Sequence, residues 1–217
     1  MWQYLINIIV SSLEFFYDIT VTIGIPSYAL AILLLTVVIK LLLYPLSYKQ
    51  MYSMKKMQEI QPQVKEIQDK YKKNPEKANQ AVIEIYKKNK VNPMAGCLPL
   101  IVQMPILLAL FRALQAFEYK ELGSSFLWVP SLTNPDPYMV IPIIVAIATY
   151  FQSKLTSTGN DSNPKAAQTQ KMMLYFMPLM IGWMSMRFPA GLGLYWIYFS
   201  ILGTVQQLYI NRKPEIK

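Results

Sequence analysis

The sequence has no histidine and a single cysteine, Cys97. The first absence removes Ser-His-Asp triads, histidine proton relays and the commonest zinc ligand. The second excludes an intrachain disulfide. Neither a GxxxxGK[ST] phosphate loop nor a GxGxxG turn occurs, so no recognisable means of binding or hydrolysing a nucleotide is present. No metal, no cofactor and no enzymatic activity are expected. The first 20 residues also lack the basic segment and the small-residue cleavage site of a signal peptide, so Trp2 to Thr20 is read as retained structure.

Long apolar runs are present instead. Hydrophobic residues make up 53% of the 217 residues, and they gather in stretches of near-span length. A helix needs about 20 such residues to cross a hydrocarbon core of about 30 Å. The expected fold is an all-α membrane protein with five transmembrane helices, an N-terminal interfacial amphipathic helix and a cytoplasmic helical hairpin.

Residues 1–24 mix Leu5, Ile8, Ile9, Leu13 and Phe16, at helical spacing, with Gln3, Asn7, Ser11, Glu14 and Asp18. That pattern predicts an amphipathic helix at the extracytoplasmic interface, and an extra span is the alternative. Residues 25–47 hold the first span, Ser27 to Leu46, with Pro26 suited to a first helical turn and Pro45 near the far end. Residues 48–92 change character, with eleven lysines and five acidic residues. Here Met51, Met54, Met57, Ile60, Val64, Ile67 and Tyr71 recur at helical spacing, and Asn74-Pro75 marks a turn into a second helix bearing Ala78, Val82 and Ile85. The expectation is a water-exposed hairpin whose first arm kinks at Pro62.

Residues 93–211 hold spans two to five: Cys97 to Phe117, Tyr138 to Ser153, Met172 to Met186 and Leu192 to Ile210. A loop with Trp128 and Asp136 precedes the third span. A Gly-Asn-Asp-Ser-Asn-Pro breaker precedes the fourth, and Phe188-Pro-Ala-Gly turns the chain into the fifth. Residues 212–217 form a basic tail.

Charge chooses the orientation. Of the 21 basic residues, 17 fall in the hairpin, in residues 154–171 and in the tail, whereas only Lys120 and Arg187 face the other way. The positive-inside rule then puts the hairpin and C-terminus in the cytoplasm and the N-terminus outside.

Lys40 lies within the first span, roughly 9 Å from its cytoplasmic end at 1.5 Å per residue. A charge there faces a protein interior or wet cavity, or it snorkels to the interface along its aliphatic stem. Thr36 shares its helix face. Gln103, Gln152, Tyr195 and Trp196 put polar atoms into other spans, to line a hydrated cavity or to tie helices together. Arg112 sits near the outer end of its span and can snorkel. Six methionines between Met172 and Met186 suit either an adaptable client surface or an ordinary core. Lys55, Lys56, Lys72, Lys73, Lys87 and Lys88 are candidate cytoplasmic contacts for clients or a ribosome.

Three long stretches resemble the YidC/Oxa/Alb membrane protein insertases. They are the run from Lys40-Leu-Leu-Leu-Tyr-Pro-Leu to Ile60-Gln-Pro, the run from Tyr86 to Ile106, and Phe188-Pro-Ala-Gly-Leu-Gly-Leu-Tyr-Trp. With the order of spans, the resemblance covers nearly the whole chain. The large extracytoplasmic domain of some bacterial members has no counterpart, so the chain looks like the shorter form typical of Gram-positive bacteria.

The resemblance implies a hydrophilic groove, open to cytoplasm and lipid and closed outside, in which a basic residue attracts acidic client segments. Lys40 occupies that position, where the family usually has arginine; lysine keeps the charge without the planar fork. The resemblance further implies a plasma-membrane protein that acts as a monomer on nascent clients, beside a ribosome or the Sec translocon, without nucleotide. A membrane assembly scaffold without translocation and a small anion transporter are the alternatives.

Overall fold

The computed structural model describes residues 2–91, 98–117, 122–156, 168 and 171–212, with the backbone alone at 98–102 and 116. Cys97, the Gly-Asn-Asp-Ser-Asn-Pro segment and the tail beyond Arg212 lie outside the described residues. Those residues form helices α1 (Trp2–Thr22), α2 (Tyr28–Leu42), α3 (Tyr44–Lys70), α4 (Pro75–Lys88), α5 (Leu98–Ala116), α6 (Val140–Thr156), α7 (Met177–Ser185) and α8 (Ala190–Arg212). A π-helical turn, Met172–Phe176, leads into α7.

α8 is the hub. It packs most extensively on α6 and α2, and also meets α3, α5 and α7. Glycines permit the closest approaches. A Cβ at Gly193 would stand 2.5 Å from Ile141 Cγ2, and one at Gly182 would stand 2.8 Å from the Ala146 Cβ. Both are nearer than van der Waals contact allows, so larger residues would force α6 away from α8 and α7.

The break between α2 and α3 follows from proline chemistry. Pro45 occupies the first turn of α3, has no N–H to donate, and its ring crowds the carbonyl four residues back. The two helices diverge by 69°. Within the expected first span, helix α2 therefore ends at Leu42. α3 runs from Tyr44 to Lys70 as one helix with Pro62 inside it. Asn74 caps α4 as the sequence suggests, its side chain accepting from the Lys77 N–H at 3.1 Å. α3 and α4 pack together, burying Ile60, Val64 and Ala78.

α1 packs its apolar face onto the bundle. Ile6, Ile9, Leu13 and Tyr17 are buried in the same core as α2, α5 and α8. Tyr17 stacks on Tyr28 with ring centroids 3.9 Å apart. At the other end of α1, Tyr4 and Asn7 line a crevice of about 500 Å³ with Leu35 and Val38 of α2. The two helices are thus antiparallel neighbours along their length. Among the described residues α1 is also the one single helix long and apolar enough to cross a membrane; α2 and α3 pass that test only as a bent pair. The amphipathic pattern survives as an exposed stripe of Gln3, Asn7, Ser11, Glu14 and Asp18.

Residues 122–139 close one end of the bundle. The Tyr28 N–H donates to Gly123 O at 3.0 Å, the Ala190 N–H to Asn134 O at 2.8 Å and the Gly191 N–H to Leu132 O at 3.0 Å. The Tyr17 hydroxyl donates to Leu122 O at 2.5 Å. Asp136 secures the loop: its carboxylate accepts from Trp128 Nε1 and from the backbone N–H groups of Tyr138 and Ile141. α1, α2, α6 and α8 are thereby fastened to one loop.

Candidate functional site

Lys40 lies in the last turn of α2 and is 9% exposed. Its side chain turns inward rather than along the helix. The ammonium stands 3.4 Å from the centre of the Phe199 ring of α8. A Cβ at Gly203, one turn further along α8, would be 3.0 Å from Lys40 Nζ and 2.7 Å from Gln152 Nε2. Two of the expected residues, Lys40 and Gln152, therefore meet at one glycine.

The other expected residues lie on three helices, α2, α5 and α8. Gln103 of α5 donates through Nε2 to the Tyr195 hydroxyl at 2.8 Å. The Tyr195 ring lies 5.9 Å from that of Phe199, which links the amide–phenol pair to the Lys40 seat. Trp196 Nε1 donates to Thr149 Oγ1 of α6 at 3.0 Å, on the α6 face that carries Gln152 one turn later. Thr36 is fully buried, and its hydroxyl donates back to Ile32 O at 2.6 Å. It contributes a hydroxyl already committed to its own helix.

The polar seam continues along α8 toward its C-terminal end. Gln207 Nε2 donates to Asn211 Oδ1 at 2.8 Å. Ser200 Oγ, Gln206 Nε2 and Gln207 Oε1 are buried without a hydrogen-bond partner among the described residues. A buried polar atom without a partner is costly in an apolar setting, and such a cluster is suited to water or a polar guest. Two crevices lie elsewhere, one between α1 and α2 and an apolar one of about 340 Å³ between α6 and α7.

Sequence reasoning missed Thr149, Phe199, Ser200 and Gly203. A phenylalanine or glycine in an apolar span carries no signal of its own. The i, i+4 series Tyr195, Phe199, Gly203, Gln207 was the available clue.

The hairpin lysines are spread out. Lys72 and Lys73 are exposed beside the turn, and Lys87 and Lys88 are exposed in the last turn of α4. Lys55 pairs with Glu59 at 3.9 Å, and Lys56 lies 5.1 Å from the centre of the Tyr52 ring. Met172, Met173, Met180, Met184 and Met186 are all exposed on the α7 side, which favours an apolar outer surface over a core.

A helical bundle whose apolar helices enclose a lysine among amide, hydroxyl and aromatic groups is the architecture of a membrane protein with a polar interior. Residues 19–217 match the model of the "60Kd inner membrane protein" family, and the chain belongs to that family. It is 40% identical over 201 residues, 93% of its length, to a protein of Geotalea daltonii named "Membrane protein insertase YidC". A protein of Wolinella succinogenes with the same name is 42% identical over 188 residues, 86% of the chain. The chain spans 36% and 34% of those two relatives. A solved structure, "Active YidC insertase crystal structure with the first transmembrane domain resolved", superposes with a TM-score of 0.68 at 27% identity, covering 94% of this chain and 46% of the other.

Proposed function

We propose that this chain is a bacterial membrane protein insertase, which passes short polar segments of client proteins through an intramembrane groove and releases their apolar helices into lipid. The observation that carries the reading is Lys40, a buried cation within an apolar helix with no acidic partner among the described residues. A charge in that setting is costly and marks a functional position. An acidic client segment supplies the missing opposite charge. Gln152, the Gln103–Tyr195 pair and the orphaned polar atoms of α8 lower the cost of bringing other polar groups in from water. The names of the relatives support the same activity.

The client's own apolar burial drives the step, and no nucleotide is consumed. With the hairpin in the cytoplasm by charge, the lysines of α3 and α4 receive nascent clients or a ribosome. The chain works in the plasma membrane as a monomer, beside the Sec translocon or without it. The antiparallel run of α1 along α2 supports placing its N-terminus on the hairpin side, as an alternative to the outside placement expected from charge. Glu14 and Asp18 then lie toward the outer end of α1, near Tyr17, where carboxylates reach water.

The test is insertion of a short single-span client with an acidic outer segment into liposomes holding only this protein. Wild type and Lys40→Arg are expected to insert it, and Lys40→Gln to insert it at about one tenth of that rate or less, the loss of one charge-assisted contact. Equal insertion by all three would remove Lys40 from the mechanism. No insertion above empty liposomes would favour an assembly scaffold.

A further inference from the structure

We infer that Phe199 and Gly203 form the seat of the Lys40 ammonium, holding the cation charged and inside the bundle for a client carboxylate. This deepens the insertase reading and rests on it. Phe199 and Gly203 lie one turn apart on α8 and face the same point of α2. At 3.4 Å from the ring centroid, Nζ sits well inside the range of about 6 Å over which an aromatic face attracts a cation.

The kind of partner matters. A carboxylate would neutralise Lys40, and a client acid would have to displace it. A ring face stabilises the ammonium and leaves its net charge available. Among the described residues no Asp or Glu pairs with Lys40, so the ring is the group that offsets desolvation.

Gly203 does the complementary work by having no side chain. A Cβ there would overlap the Gln152 amide and press on Nζ, at 2.7 and 3.0 Å. Both atoms are flexible side-chain ends, so Gly203→Ala would empty the seat while sparing the helix contact. Phe199 and Gly203 are positioning residues; neither is required to touch the client.

The experiment uses the whole chain in proteoliposomes and a small membrane-permeable acylating reagent, with lysine labelling read site by site by mass spectrometry. Lys72, exposed near the hairpin turn, is the internal standard. Phe199→Leu keeps an apolar side chain and removes the π face. It is expected to raise Lys40 acylation about tenfold relative to Lys72, the scale of a desolvated cation–π contact. Phe199→Trp is expected to stay near wild type, and Gly203→Ala to rise like Phe199→Leu. Unchanged Lys40 labelling in Phe199→Leu would overturn the seat.

The same samples are then given two clients that differ only in an acidic or a neutral outer segment. Phe199→Leu is expected to slow the acidic client alone, and Phe199→Trp to restore it. Equal slowing of both clients would overturn the link to client charge. If labelling responds as expected while even wild type inserts nothing, the insertase reading fails and the seat stands. If wild type inserts clients while labelling ignores Phe199, the seat fails and the insertase reading stands.

Discussion

Gln103 of α5 and Tyr195 of α8 are joined by one hydrogen bond, amide to phenol oxygen, at 2.8 Å. It is a polar tie between two apolar helices that otherwise meet little. Tyr195→Phe keeps the ring, which is fully buried, and leaves the Gln103 amide without its acceptor. The expected cost is about 1–3 kcal/mol of stability, measured by thermal or denaturant unfolding in detergent. A double mutant that also replaces Gln103 with leucine is expected to recover part of that loss, because no polar group is then stranded. No recovery would mean the bond is incidental.

Gly123 and Gly24 both have positive φ, +87° and +80°, yet their surroundings differ. A Cβ at Gly123 would stand 2.6 Å from Pro26 O, whereas Gly24 has open space around it. Gly123→Ala is expected to cost about 2–4 kcal/mol, steric overlap added to backbone strain, and Gly24→Ala about 1 kcal/mol from strain alone. Melting temperatures of the two variants in one detergent check the ordering.

Asp136 gathers three donors from one loop and the start of α6. Asp136→Ala strands the Ile141 N–H, which lies in a buried setting, together with the Trp128 indole. The expected loss is about 2–3 kcal/mol. A blue or red shift in Trp128 emission, read against a variant lacking that tryptophan, reports whether the loop has come loose.

The placement of α1 is open to direct labelling. Gln3→Cys, in a chain where Cys97 is replaced by serine, is expected to react with a membrane-impermeant maleimide from the side that also labels a cysteine at Lys72. Reaction from the opposite side, or equally from both, would return α1 to an interfacial position.

Much of the fold was legible. Apolar runs and breakers gave the helical segments, and Asn74-Pro75 marked the α3–α4 turn because cap chemistry is local. Lys40 was found by its cost within an apolar run. Its surroundings were hidden, because what seats it is a phenylalanine and a missing side chain, and both look ordinary in a span. The end of α2 was misjudged for another reason. Apolar residues continue past Leu43, but Pro45 bends the chain there, and hydropathy does not register a lost N–H. For α1 the periodicity marked one buried face but not its partner: such a helix looks the same whether that face meets lipid or α2.

The loop of residues 122–139 has an electrical consequence. It fastens four helices at one end of the bundle through backbone and carboxylate bonds. On the proposed reading, a client segment seated at Lys40 would occupy an alcove with a fixed back wall, and its way out would be sideways between helices. A through-going pore shunts protons and ions whenever it is occupied or vacated. A blind alcove lets a polar segment come partway into the bilayer while the membrane holds its voltage, and that voltage then remains available to draw acidic residues outward.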